Sequence, residues 1–158
     1  EMTFSLAAGL NWKGIDFSIL LQGAARSSIY LQQDIAWDNF WGNYYEEHIG
    51  RWTPETAATA TYPRFTKAAT PAHPNYYKSD YWLKDSKYLR LKNIQLGYTI
   101  PRKLLKKFGV RSLRVYANAY NLFTWDNVKK VDPESSNNSN GQFYPQQKVI
   151  NFGINLNF

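Results

Sequence analysis

Cysteine is absent from the 158 residues, which excludes a disulfide framework and any thiolate metal site. It does not identify a compartment, though it suits a surface protein that avoids stray oxidation. Histidine is nearly absent: His48 and His73 are the two, and nothing at metal-ligand spacing accompanies either. There is no G-x-S-x-G elbow, no phosphate-cradling glycine loop and no nucleophile–base set. The chain therefore gives no support for an enzyme, and no catalytic residue, metal or cofactor is expected. No apolar run approaches the ~20 residues of a transmembrane helix. Mean hydropathy is −0.54, but averaging hides a β-barrel, where lipid-facing and lumen-facing residues alternate.

What is present is aromatic and basic. Twelve Tyr, nine Phe and six Trp make up 17% of the chain, too rich for a disordered segment. The net charge is +7, which first suggests nucleic acid. The cations do not form one stripe, however. One group is Arg102, Lys103, Lys106, Lys107 and Arg111, and another is Lys84, Lys87, Arg90 and Lys92. No nucleic-acid motif accompanies them, so none is expected as a partner, and the same charges read as solvated or phospholipid-facing.

Period-two alternation dominates both ends. Phe4, Leu6, Ala8, Leu10 and Trp12 share one face, and Ile15, Phe17, Ile19 and Leu21 continue it after Lys13-Gly14, with Leu20 as the exception. Such runs around a two-residue glycine-containing turn predict a hairpin. Ile94, Leu96, Tyr98 and Ile100 alternate before Pro101, "RKLLKKFG" reads as one or two helical turns closed by Gly109, and Leu113, Val115, Ala117 and Ala119 share a side until Asn121. After the polar turn-rich "DPESSNNSNGQ", the ending "VINFGINLNF" places Ile150, Phe152, Ile154, Leu156 and Phe158 on one face. The prediction is five antiparallel strands in sequence-neighbour order, near 2–12, 15–25, 86–100, 112–124 and 146–158. Short joins on one side and long ones on the other are the pattern of a transmembrane barrel.

Between 26 and 86 the alternation vanishes into a long loop dense in Trp and Tyr, and so long a loop is usually functional. Trp37, Trp41, Tyr44 and Tyr45 have the spacing of one helical face. With Trp52, Tyr62, Tyr76 and Tyr77 they either stack on ligand rings or pack the loop on itself and on a partner. Asp34, Asp38, Glu46 and Glu47 match no calcium loop and read as solvated carboxylates.

The blocks "YLRLKNIQLGYTIP", "LRVYANAYNLFTW", Asp132-Pro133-Glu134 and "YPQQKVINFGINLNF", with "RWTPE", "YPRF" and "YWLKDSKYLRLKN" upstream, resemble in order the C-terminal end of SusC/RagA-like TonB-dependent transporters. The resemblance implies an all-β fold: residues 1–158 as the C-terminal portion of an antiparallel barrel of about 22 strands in the cell outer membrane. It further implies import of an oligosaccharide or peptide with a SusD-like lipoprotein as lid, energised by the TonB complex through an N-terminal plug outside this chain. On that reading the chain, which begins at Glu1 on a strand pattern, is one piece of something longer. The row Ile150–Phe158 would face outer-membrane lipid, its last Phe also serving as an assembly signal, while Arg102–Arg111 would meet phospholipid headgroups and Lys84, Lys87, Arg90 and Lys92 lipopolysaccharide phosphates at the other rim. Trp12, Tyr98 and Phe158 would form an aromatic girdle, and Trp37, Trp41, Tyr44, Tyr45, Trp52, Tyr76 and Tyr77 would be ligand or lid contacts. From the residues alone, a passive porin-type barrel and a soluble carbohydrate-binding β-domain remain open.

Overall fold

The computed structural model describes residues 2–67, 72–128, 131–135 and 144–158; most of the "DPESSNNSNGQ" turn prediction, from 136 onward, lies outside them. Two compact units form, one from Glu1–Ser27, Ser86–Asn127 and Pro145–Phe158, the other from Ser28–Asp85 and Val128–Tyr144. The strands are β1 (Met2–Trp12), β2 (Ile15–Ala25), β3 (Ser28–Tyr30), β4 (Leu83–Asp85), β5 (Tyr88–Thr99), β6 (Ser112–Asp126) and β7 (Val149–Asn157). The first unit is a five-stranded antiparallel sheet in the order β1-β2-β5-β6-β7. These are the five predicted strands in the predicted order, the last opening at Val149. No helix among the described residues is long and apolar enough to cross a membrane, which says nothing of strands.

Local chemistry explains the short joins. Lys13 and Gly14 both take left-handed backbone angles, φ 48° and 89°, and Trp12 pairs directly with Ile15. This is the two-residue turn whose twist matches the flanking strands, and glycine enters it without steric cost. After Pro101 a single helical turn, α1 (Arg102–Leu105), tightens into a 3-10 turn and stops at Gly109. Leu105 is buried, while Arg102, Lys103, Lys106, Lys107 and Arg111 are exposed.

The register carries the alternation across all five strands. One face presents the rows Trp12–Ile15–Tyr98–Val115–Ile154, Leu10–Phe17–Leu96–Ala117–Phe152 and Ala8–Ile19–Ile94–Ala119–Ile150. The opposite face presents Asn11–Asp16–Gly97–Tyr116–Gly153 and Gly9–Ser18–Gln95–Asn118–Asn151. A folded-over sandwich would bury Phe152 and Ile154, yet they are 83% and 68% exposed. An apolar face left exposed on one side of a sheet and a polar face on the other is the pattern of a transmembrane barrel wall.

Register breaks at Leu20/Leu21 on β2 and Leu91/Asn93 on β5. Lys92 is the extra residue against β2, and Asn121, at φ 50°, turns through the matching bulge on β6. Side-chain alternation within β6 is broken there, which is why the sequence pattern blurs at Asn121. Beyond the bulges the apolar face resumes as Leu6–Leu21–Leu91–Phe123 and Phe4–Gly23–Leu89–Trp125.

That face therefore has aromatic residues at both ends. Trp12 and Tyr98 mark one end, as predicted, with exposed Phe158 one residue past β7. Phe4, Phe123 and Trp125 mark the other, the last two stacked at 6.1 Å. From Phe4 to Trp12 the strand runs about 26 Å at ~3.3 Å per residue, close to the ~25 Å apolar band of outer-membrane barrels. A lysine ammonium lies over a ring at each end, Lys13 on Trp12 at 4.8 Å and Lys148 on Phe123 at 5.9 Å, as amphipathic side chains do at an interface.

On the polar face Arg114 reaches across β5 to grip Asp16 with two of its three guanidinium nitrogens, Nε to Oδ1 at 2.9 Å and Nη2 to Oδ2 at 2.5 Å. The pair crosses at Gly97, where any Cβ would overlap the Arg114 and Asp16 side chains. Gly153 likewise leaves room for the Tyr116 ring. Arg90 is the exception to the expected phosphate-facing cations. It is 2% exposed, donates from Nε to Thr124 Oγ1 and stacks over Tyr88, because β5 alternation turns it to the polar face.

Candidate functional site

The second unit is built from the aromatic loop. Short strands β3 and β4 pair antiparallel, Ser28 with Asp85 and Tyr30 with Leu83, and the Leu31 N–H donates to the Trp82 carbonyl. The ends of a long segment are thus fastened together, which removes most of its closure entropy. Inside, Ile29, Leu31, Ala36, Trp37, Tyr62, Tyr76, Trp82 and Val128 form one apolar cluster.

The helix expected from the 37/41/44/45 spacing does not form. Asn39, Trp41 and Gly42 all have positive φ, so no helical ladder can pass through them. Two 3-10 turns, Gln33–Ile35 and Glu46–Gly50, flank a tight turn in which the Asn43 N–H donates to the Phe40 carbonyl. Two of the proposed contact residues are also reassigned. Trp37 and Tyr76 are 3% and 4% exposed and pack on each other at 4.7 Å. They hold the loop together, and only a sliver of each ring reaches the cleft they line with Tyr30 and Tyr77.

Asp38 organises this interior and is not the solvated carboxylate the sequence suggests: it is 1% exposed. Its Oδ1 accepts from the Tyr76 hydroxyl, its Oδ2 accepts from the Thr66 N–H at 2.9 Å, and its own N–H donates to the Tyr62 oxygen at 3.0 Å. The Tyr62 hydroxyl donates onward to the Ala36 carbonyl at 2.8 Å. His48, also buried, accepts the Tyr45 N–H at Nδ1, which leaves Nε2 as the donor facing the Ala36 carbonyl. Its ring packs on Tyr62 at 4.6 Å. Nothing in the spacing of Asp38, Tyr62, Thr66 and Tyr76 announces this network. Among the described residues no three His, Asp or Glu side chains converge as a metal site would require.

Burial pushes the Tyr62 and Tyr76 hydroxyls well above the ordinary phenol value of 10.0, and the Asp38 charge adds to it. The folded loop therefore holds protons that an unfolded chain has released. The stability contributed is full below the unfolded value and is lost as pH rises toward the folded values. Limited proteolysis between 28 and 85 should therefore begin above about pH 10 while the sheet stays protected. Protection of both units up to the same alkaline limit would contradict this.

Trp41, Tyr44, Tyr45, Trp52 and Tyr77 remain on the surface. Trp41 is the most exposed of them at 83%, and its backbone sits at φ 55°. A bulky residue in the left-handed region is an outlier, and such strain clusters at functional positions. Tyr45 is anchored by its hydroxyl on the Asp34 carbonyl. The interior network thus holds an aromatic surface in a defined arrangement.

No family model matches the chain. Over its whole length it is 29% identical to TonB-dependent receptor P26 of Formosa agariphila and 25% identical to the TonB-dependent receptor SusC of Bacteroides thetaiotaomicron. It spans 17% and 15% of those two proteins. In structure, 99% of the chain superposes on 17% of a chain of the RagAB peptide importer in its open-open state, with a TM-score of 0.77 and 24% identity. The closed-closed state gives a TM-score of 0.73 over 98% of the chain. The two-faced sheet, its two aromatic ends and the order of its strands agree with these likenesses: over its whole length the chain is similar to SusC-like TonB-dependent receptors, and it shares the fold of one part of a RagAB importer chain.

Proposed function

We propose that this chain is part of an outer-membrane importer that takes up oligosaccharides or peptides, works with a SusD-like surface lipoprotein and draws energy through the TonB complex. The sheet supplies barrel wall, and the aromatic loop unit lies outside the cell as a docking surface for lid or ligand. The observation that carries this reading is the continuous apolar face across five strands, edged by aromatics. Among the described residues β1 and β7 each pair on one side only, and open edges do not persist in lipid. Other strands of a larger barrel would complete them, as expected of a chain spanning about a sixth of its relatives. The exposed cations of the α1 turn suit phospholipid headgroups.

The test replaces Trp41, Tyr44 and Tyr77 together by Ser in the full-length protein. These side chains lie outside the apolar cluster, so the heat-resistant barrel should assemble as before. Nutrient uptake, or co-purification of the surface lipoprotein, should fall severely. Wild-type uptake together with wild-type lipoprotein association would reduce the exposed aromatics to loop surface.

A further inference from the structure

The loop unit carries an open cleft of about 470 Å³ lined by Arg51, Trp52, Thr53, Pro54, Arg64 and Phe65. Its two arginines are exposed, and neither guanidinium meets a carboxylate among the described residues. The acid that follows the cleft segment, Glu55, is engaged by the Thr53 side chain, which holds its carboxyl below the usual range. Guanidinium pairs without an internal partner suit a planar anion, which each fork can grip with two parallel hydrogen bonds.

The cleft is also held in shape before anything binds. Arg51 lies over the Phe65 ring at 4.9 Å, and Phe65 is wedged against Tyr44, His48 and Tyr62. The Arg51 N–H donates to the His48 carbonyl and the Trp52 N–H to the Tyr62 carbonyl. The Thr53 N–H is taken by the Thr56 hydroxyl. Those main-chain donors are therefore not free to pair with an extended peptide backbone. What remains available is a pair of guanidinium forks beside the partly exposed indole of Trp52, a flat surface suited to the C–H face of a sugar ring.

We infer that this cleft binds an acidic oligosaccharide, with a uronate-type carboxylate between Arg51 and Arg64 and the adjoining ring on Trp52. The inference rests on the loop-surface role proposed above and deepens it by naming a ligand class. Binding is measured on the purified full-length receptor in detergent, so that it does not depend on energised transport. The probes are short oligogalacturonides, neutral cello-oligosaccharides and an oligoglutamate peptide.

Arg51→Gln and Arg64→Gln should each weaken oligogalacturonide binding severalfold, and the double variant by at least about tenfold. The salt dependence should flatten in parallel, Arg-to-Lys variants should recover part of the loss, and Lys78→Gln should change nothing. Unchanged proteolytic protection of the loop shows that the variants fold. Equal oligogalacturonide binding by wild type and double variant, or none by wild type, would overturn the inference. So would arginine-dependent binding of oligoglutamate without the sugar, which would assign the cleft to an acidic peptide. Loss of TonB-dependent uptake in the wild type would strike the proposed function and leave the binding result standing.

Discussion

Ile150→Arg is expected to prevent most of the protein from assembling in the membrane, whereas Asn151→Arg, one residue further on, leaves assembly close to normal. Ile150 closes the row Ala8–Ile19–Ile94–Ala119–Ile150, midway between the two aromatic ends of the apolar face. At that depth an arginine costs about 2–4 kcal/mol on the lipid side of a barrel, a large fraction of the ~5–15 kcal/mol by which proteins are stable. Asn151 belongs to the row of Gly9, Ser18, Gln95 and Asn118, where a charge meets water. The measurement is the folded fraction in lipid vesicles, read by heat-modifiable gel mobility. Equal tolerance of both substitutions would show that water bathes both faces. The reverse ranking would turn the sheet inside out.

Asp38→Ala is expected to open the loop unit without touching the sheet. The substitution leaves the Tyr76 hydroxyl and the Thr66 N–H without their acceptor in a buried site. Each buried group left unpaired costs about 1–3 kcal/mol, so the loop should lose on the order of 2–6 kcal/mol. Asp38→Asn retains one carbonyl acceptor but turns an amide donor toward donors, and should fall between wild type and Ala. Amide hydrogen exchange reports the difference residue by residue: protection should drop from Leu31 to Trp82 and persist in β2, β5 and β6. Unchanged exchange in the loop would mean that the apolar cluster alone holds it. Because Trp41 follows Asp38 by a single tight turn, the variant should also weaken lid or ligand association with the barrel still assembled.

The strands, their order and their two faces were legible in the sequence. Side-chain direction in a strand is a local property, repeating every two residues, and Phe4–Trp12, Ile94–Ile100 and Ile150–Leu156 state it without help from the rest of the chain. The Lys13-Gly14 hairpin and the Gly109 stop were legible for the same reason, since backbone angle preferences belong to single residues. What tertiary structure alone decided is burial and partnership where no period exists. Trp37 and Trp41 share a chemistry and a neighbourhood, yet one is the floor of the loop and the other its most exposed ring among the candidate contacts. Asp38 acquired its role from Thr66 and Tyr76, 28 and 38 residues away. Arg90 was turned from headgroup to interior by strand register, and the bulges at Lys92 and Asn121 returned the apolar face to its side by breaking the alternation that predicts it. Local pattern fixes which way a side chain points; only the packing of distant segments fixes what it meets there.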